Sequence, residues 1–532
     1  MAAVVADEPG QPPALTQDAA PKKVAADQVV NPFEVSGGVD EAGKALAIDF
    51  DKIVRDFGAT PMSPEILERF ERVTGKKPHR LMRRGMVSSH RDLDKMLDRY
   101  EKGEPFYLYT GRGPSSDSMH VGHAMPFELT RFLQEAFDCP LVIMLTDDEK
   151  FMHSEKITIE DAKRYALENS KDIIAMGFDP KKTFIFSDFE FVSGAFYENI
   201  CMIAKHITIN QIKGTFGFDD STNIGKFHFP ATQSATAYAT SFPHIFGPDK
   251  LKTRTIPCLI PCAIDQDPYF RQCRDRAEKM KHKKPALLHM IFLPALQGPG
   301  SKMSASVGTS AIFLSDKPNE IKNKINRYAF SGGQDTAEKQ KELGGRTEVD
   351  VPYQYLTFFL EDDAELERIK QDYESGKMMT GEIKAICIKY LQEFVASFQE
   401  RRKQVTDEVR ADFFSRKPLL FQGKTAEELM NELEDRKKKE QAEKKAKKDA
   451  EKAAAKTSAA DKKDADDTAA AAIKTSKPSM ANKGLLFSDQ KDAHDTAAAA
   501  IQSAQPGAVF AGDTSKGHKK TTSTVSVGRS KQ

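Results

Sequence analysis

The apolar positions of this chain become periodic only from about Ala45 onward. Ile48, Phe50 and Ile53 sit among acids, and Pro64 to Arg72 carries a helical pattern behind Ser63, a favourable N-cap residue, with Glu68 and Glu71 on its polar side. A further helix is predicted over His90 to Glu101. The middle third then alternates two kinds of run. Phe106–Thr110, Pro140–Thr146, Thr183–Ser187 and Thr255–Ile264 are short and nearly all apolar, as strands buried on both faces are, whereas His120–Phe137 and Ile159–Met176 have helical spacing. Strand and helix in alternation predict an α/β fold with a parallel sheet. After about Ser306 the strands stop, and helices are predicted over Glu320–Tyr328, Pro352–Leu360, Ala364–Glu374 and Thr380–Val409. Pro418 and Gly423 are expected to end the packed region.

The two ends lack such a pattern. Residues 1–44, rich in Ala, Pro, Gly and acids, are expected to be a disordered lead. In the tail, residues 436–463 hold 12 Lys/Arg against 5 Asp/Glu, and KDADDTAAAAI (463–473) recurs as KDAHDTAAAAI (491–501). Two copies of an alanine-rich unit cannot bury a core. The tail reads either as a solvated, disordered or partly helical extension or as a basic arm that adds phosphate contacts to RNA.

Composition narrows the classes. With 79 Lys+Arg against 78 Asp+Glu in 532 residues, the formal charge is +1, which excludes a globally basic nucleic-acid binder but not local charge separation. Six cysteines without a CxxC pair support neither a disulfide framework nor a structural zinc; Cys258 and Cys262 read as buried thiols in a reducing compartment. Asp7, Glu8 and Asp18 precede the first basic residue, Lys22, so neither a secretory nor a transit signal is read. The long uncharged stretch from Phe227 to Pro248 is broken by Pro230 and Pro243 and reads as core and loop. A soluble, cytosolic protein without a membrane segment is expected.

Candidate chemistry lies in two segments. Gly111-Arg-Gly-Pro-Ser-Ser-Asp-Ser-Met-His-Val-Gly-His follows a predicted strand and opens a predicted helix. Glycines permit close backbone approach, and the N–H groups at a helix start favour an anion such as a polyphosphate. Neither GxGxxG nor GxxxxGK[ST] is present. His120 and His123 flank Gly122. They could be two solvent-facing imidazoles or, with no carboxylate in register to complete a metal set, phosphate-directed groups. The second segment, Lys302-Met-Ser-Ala-Ser, follows the loop Gln297-Gly-Pro-Gly-Ser, where one lysine and small hydroxyls suit transient neutralisation of a departing phosphate.

These two segments resemble the HIGH and KMSKS signatures of the class I aminoacyl-tRNA synthetases. FYLYTGRGPSS, PLVIMLTDDEK, IPCAIDQDPYF and KPALLH are similar to the eukaryotic cytosolic tryptophanyl-tRNA synthetases, over about Ala45 to Phe421. The resemblance implies an N-terminal extension over the ATP site (45–103), a Rossmann-type catalytic domain (104–306), a helical anticodon-binding domain (307–422) and a low-complexity tail (423–532). It implies ATP-dependent ligation of L-tryptophan to tRNA(Trp) through an adenylate, in a cytoplasmic homodimer, with ATP entering as its Mg2+ complex. His120, His123, Lys302 and Ser304 would act on the phosphates, with Arg112, Gly113, Gly122 and Asp265 completing the ATP site. Tyr109, Met144, Glu149, Gln233 and Gln266 would receive tryptophan: Tyr109 the indole N–H, Glu149 the ammonium, with Lys150 helping. Asp335 would contact the anticodon.

Several positions depart from the family. Met144 stands where animal members have a glutamine that contacts the indole nitrogen, Ala263 where many relatives have glycine, and Gln334 where animal members are basic. Arg83-Arg84-Gly85 reads equally as a phosphate-directed turn or a solvated one. The sister tyrosyl enzyme is one alternative, and a non-catalytic RNA-binding or signalling protein on the same scaffold is another.

Overall fold

A computed structural model of the chain describes residues 27–33, 35–38, 46–303 and 308–475, with backbone alone for 299–302 and 458–475. Its central sheet has seven strands: Thr60–Pro61 (β1), Val87–Arg91 (β2), Tyr107–Arg112 (β3), Leu141–Leu145 (β4), Thr183–Ser187 (β5), Cys258–Ala263 (β6) and Ala286–Met290 (β7), in the order β1-β2-β7-β6-β3-β4-β5. The helices that bear on the site are Phe50–Phe57 (α1), Val121–Phe137 (α2), Asp147–His153 (α3), Ile224–Ala235 (α4), Asp267–Ala277 (α5) and Val351–Phe359 (α6).

Strands β3 to β7 are mutually parallel and form the expected α/β core. They read as continuous apolar runs because both faces are covered: Leu141, Ile143 and Leu145 enter one core cluster, and Val142 and Met144 the other. Burying one such side chain contributes about 1.5–3 kcal/mol, so this alternation fixes the register. The winding reverses at β3, with β4 and β5 on one side and β6 and β7 on the other. A crevice therefore opens at the carboxyl ends of β3 and β6, where ligands bind in such sheets.

The sheet does not begin at residue 104. β1 and β2 come from the 45–103 segment and extend it antiparallel, β2 pairing with β7. His90 and Arg91, expected to open a helix, are the end of β2; Asp92 turns the chain at φ 57°, and the helix starts at Leu93. Arg83 and Arg84 are neither phosphate-directed nor a solvated turn. Both pair with Asp363, and Arg84 also donates to the Thr357 and Leu360 carbonyls (2.9 and 2.6 Å), which pins this segment to the end of α6.

Part of the expected disordered lead is ordered. Val29–Val30 and Val35–Ser36 form a hairpin whose Ser36 pairs with Ser301 in the strand Gly298–Lys302. Backbone pairing from that strand supplies what residues this short cannot obtain from a core. The rest of 1–44, apart from 27–33 and 35–38, lies outside the described residues.

Beyond the sheet, the predicted helices occur at Pro318–Tyr328, Val351–Phe359 and Asp363–Glu374. The long one expected to Val409 is two, Thr380–Lys403 and Asp407–Phe414, because Thr406 caps the second by accepting from the Val409 N–H (3.3 Å). Packing also continues past Gly423. A hairpin (Leu420–Phe421 with Lys424–Thr425) leads into a helix, Ala426–Thr475, that buries Ala426, Leu429 and Leu433.

Residues to Lys447 form one compact unit. In the second unit, 448–532, the described part is helical, and its side chains from Lys448 to Thr457 are exposed. The repeat copy at 491–501 lies outside the described residues. No described helix is long and apolar enough to cross a membrane. All six cysteines are free thiols, and Cys201 alone is exposed.

Candidate functional site

The end of β3 builds the floor. At Gly111 an added Cβ would lie 3.0 Å from Tyr109 Oη, and at Gly113 one would lie 2.1 Å from Lys150 Cε, so both glycines permit approaches a side chain would crowd. The chain then enters α2 at His120, which is extended (φ −100°) as an N-cap; its N–H donates to His123 Nδ1 (3.4 Å), and the two rings stack at 3.4 Å between centroids. Gly122 is pressed between partners: a Cβ there would sit 3.1 Å from His120 Nδ1 and 3.3 Å from Met303 Sδ.

That last contact links the two candidate segments. Lys302 ends the strand Gly298–Lys302, whose partner across the hairpin includes Pro294, and Met303 is buried in the cleft beside Gly122. The chain after the KMSAS segment is also stitched to the helix start, with the Val121 N–H donating to Ile312 O and the Leu314 N–H to Met119 O (both 2.9 Å). The Lys302 side chain and all of Ser304 lie outside the described residues.

A cavity of about 290 Å³ occupies the crevice. From the expected nucleotide side it is lined by Arg112, Gly113, His120, Gly122, His123 and Asp265. From the expected amino-acid side Tyr109, Glu149, Gln233 and Gln266 line it. Pro32, from the N-terminal hairpin, closes on the same space, and the neighbouring Phe33 stacks on His153 (5.1 Å). Nothing in the residues around Pro32 signals this, since the partner strand is more than 250 positions away.

Met144 does not line the cavity. It is fully buried behind Tyr109, whose hydroxyl donates to Met144 Sδ (3.4 Å) while accepting from Gln233 Nε2 (3.3 Å). A phenol has one hydrogen and two lone pairs. With the hydrogen given to sulfur and one lone pair taken by the amide, the remaining lone pair can accept an N–H from the cavity. Burial raises the Tyr109 phenol far above its ordinary range, so it stays protonated. Met144→Gln should leave the affinity for an indole-bearing ligand within about tenfold, because Tyr109 still offers its free lone pair, and should lower stability by about 1–2 kcal/mol through a half-satisfied buried amide. Calorimetry and thermal melting separate the two effects; a hundredfold loss of affinity would contradict this geometry.

Charge in the cleft is arranged with care. Burial pushes the Arg112 guanidinium down to about 10; Nε donates to Asn169 Oδ1 (3.2 Å), and Nη2 has no hydrogen-bond partner among the described residues. A half-buried, half-satisfied cation among glycines is receptive to an anion. Glu149 is opposed by burial, which raises its pKa, but Lys150, His153 and Thr146 together hold it below the usual range. Its carboxylate accepts from Thr146 Oγ1 (2.9 Å) and pairs with Lys150 Nζ (3.0 Å), so it remains ionised at neutral pH.

Behind Glu149, the carboxyl oxygens of Asp147, Asp148 and Asp188 lie within 4.8 Å of one another. Asp147 is satisfied by the Ser187 hydroxyl and the Asp148 and Phe189 N–H groups. Burial and the acids Asp148, Asp147 and Glu149 raise Asp188 well above its ordinary value, so it is held neutral. Burial raises Asp148 from 3.8 to about 6. Because the folded value lies above the unfolded one, the fold favours the protonated acid, and stability is lost as pH rises through about 6. Asp148→Asn should therefore stabilise the protein by about 1–2 kcal/mol at pH 8, with the gain disappearing below about pH 4. Thermal melting at both values checks this; equal shifts would contradict it.

Asp335 does not line the cavity. It is exposed in a loop framed by the buried Asp350, which accepts from the Gly332 N–H (2.9 Å), while Gln334 Nε2 is tied to Gly344 O (2.8 Å).

Comparison with known proteins places these features in a family. The model for "tRNA synthetases class I (W and Y)" matches residues 101–396. The chain is 58% identical over 388 residues to the cytoplasmic tryptophan–tRNA ligase of Saccharomyces cerevisiae, covering 73% of this chain and 89% of that one. It is 51% identical over 420 residues to the cytoplasmic enzyme of that name from Homo sapiens, covering 78% and 87%. Among solved structures, the tryptophanyl-tRNA synthetase of Giardia lamblia superposes with a TM-score of 0.66 at 44% identity, over 70% of this chain and 97% of that one. The tryptophan-bound enzyme of Encephalitozoon cuniculi gives 0.64 at 44% identity, over 70% and 99%.

Proposed function

Since the chain belongs to the class I tRNA synthetases of the tryptophan and tyrosine group, we propose that it activates L-tryptophan with ATP and esterifies tRNA(Trp) with the product. The observation that supports this reading is that the His120–His123 helix start, Met303 directly after Lys302, and the Tyr109–Glu149–Gln233 cluster all line one cavity. The amino-acid carboxylate attacks the α-phosphorus of ATP, forming the tryptophanyl-adenylate and expelling pyrophosphate. The ester then passes to a ribose hydroxyl of the tRNA, releasing AMP. Both steps need positioning and charge stabilisation rather than a nucleophile on the enzyme.

In this reading Glu149 receives the substrate ammonium, Tyr109 the indole N–H, and Gln233 and Gln266 orient the amino acid. His120, His123 and Arg112 face the phosphates, Gly113 and Gly122 let the backbone approach them, and Asp265 meets the ribose. Lys302 and Ser304 engage the departing pyrophosphate, and magnesium enters as part of the ATP complex. Asp335 is exposed where it can accept from a cytosine amino group of the anticodon. A homodimer fits the exposure of Tyr197 (53%), Ile209 (61%) and Ile224 (78%) between β5 and β6. The yeast and human relatives are named cytoplasmic, and that location is proposed here.

Charging of a tRNA(Trp) transcript with labelled tryptophan tests the reading. Acid-precipitable ester that needs both ATP and tRNA is expected. Its absence, with ATP and tryptophan saturating, would overturn it.

A further inference from the structure

The turn that carries Asp265 and Gln266 is held from behind by a polar chain set back from the cavity lining. Asp267, the residue after Gln266 and the first of α5, is fully buried. It accepts two hydrogen bonds from Arg91, at Oδ1 from Nε (2.7 Å) and at Oδ2 from Nη2 (2.9 Å). Its Oδ1 also meets His289 Nε2 at 3.1 Å, and His289 Nδ1 meets Ser89 Oγ at 2.9 Å. Burial alone would raise the Asp267 carboxyl, but His289 and Arg91 bring it down to about 2. An ionised carboxylate only accepts, so the hydrogen on His289 resides on Nε2, and in the neutral ring Nδ1 accepts from Ser89.

The order serine, histidine, aspartate resembles that of a hydrolytic triad, yet Ser89 and His289 are both fully buried and neither lines the cavity in the crevice. The chain's other end explains it better. Arg91 Nη1 donates to Gly58 O (3.0 Å) and its Nη2 to Phe57 O (2.6 Å), which fixes the end of α1. From α1, Ile53 and Val54 pack on Ile264, the residue preceding Asp265. The turn Ile264–Gln266 is thus gripped on two sides, by Asp267 beneath and by α1 above, and one guanidinium holds both grips.

We propose that Arg91, Asp267, His289 and Ser89 are positioning residues, which set the Ile264–Gln266 turn so that Asp265 and Gln266 face the cavity and tie that setting to α1. The inference rests on the ligase reading for what those two side chains bind. The grip itself is independent of it. A planar bidentate fork is needed at residue 91, because lysine offers a single point charge that cannot hold both Asp267 oxygens and two carbonyls.

The test uses the full chain and three variants, Arg91→Lys, Asp267→Asn and Ser89→Ala. In tryptophan-dependent ATP–pyrophosphate exchange, the first two should raise the KM for tryptophan and for ATP about tenfold with kcat within about threefold, the signature of lost binding rather than lost chemistry. Ser89→Ala, which removes only the end of the chain and should fold in every case, should raise both about twofold. Hydrogen exchange should show the amides of 264–267 opening at least about tenfold faster in Arg91→Lys and Ser89→Ala while β3 and β4 amides are unchanged. Melting points lowered with both KM values and the local exchange unchanged would reduce the network to a stabilising core contact and overturn the proposal. A parent chain inactive in the exchange assay would overturn the ligase reading instead, and the amide measurement would still decide the positioning role.

Discussion

His123→Ala is expected to lower tryptophan-dependent pyrophosphate exchange by about 10²–10³-fold while tryptophan still binds. The ring lies over His120 at the start of α2, where it accepts from the His120 N–H and faces the cavity shared with Met303. On the proposed reading its contact with phosphate strengthens as charge moves onto the leaving pyrophosphate, and removing one such preorganised group costs about 3–4 kcal/mol. Truncation also leaves the His120 N–H without its side-chain cap, a loss of about 1 kcal/mol in stability that melting would register. The chain contains no tryptophan, so fluorescence excited at long wavelength comes from the substrate without a protein background, and its change on titration separates binding from chemistry. Unchanged exchange in the variant would remove His123 from the phosphate site.

The second large effect is expected at Glu149. Glu149→Gln keeps the shape and can still accept from Thr146, but it removes the cavity-facing carboxylate in the first turn of α3 that is held ionised by Lys150 and His153. A hydrogen bond to a charged group is worth about 1.5–3 kcal/mol, so the KM for tryptophan should rise roughly 10–100-fold. Loss of charge should matter little to ATP. Because the Glu149 pKa is depressed, the parent should keep its affinity as pH falls from 8 towards 6 and lose it only as pH approaches the carboxylate range; the variant should show no such acid limb. Equal tryptophan KM values for parent and variant would displace Glu149 from the ammonium role.

What the sequence disclosed follows from what each element needs. Strands β3, β4 and β5 are legible because burial on both faces demands unbroken apolar runs, and the apolar run Thr183–Ser187 coincides with β5. β2 was not, since its pattern Val-Ser-Ser-His-Arg looks polar; Ser89 and His90 are buried all the same, and Ser89 finds its partner in His289, two hundred positions away. The hairpin at Val29–Ser36 was invisible for the same reason: its pairing partner is distant. At the site, residue types and spacing singled out the segments that meet at the cavity, whereas the hydrogen bonds that set their chemistry did not show. Methionine at 144 looked like a lost contact to substrate. In the fold its sulfur takes the Tyr109 hydrogen, which leaves the phenolic oxygen free to accept. Arg83 and Arg84 likewise look open to phosphate in the sequence, but both pair with Asp363, 280 and 279 positions away.

The central claim is that one cavity at the carboxyl edge of β3 and β6 joins an amino acid to ATP and distinguishes indole from phenol. Exchange of labelled pyrophosphate into ATP, run with each of the twenty amino acids in turn on the full chain, addresses it most directly. Tryptophan alone should support exchange above background. Exchange with tyrosine in place of tryptophan, or with no amino acid at all, would contradict the account.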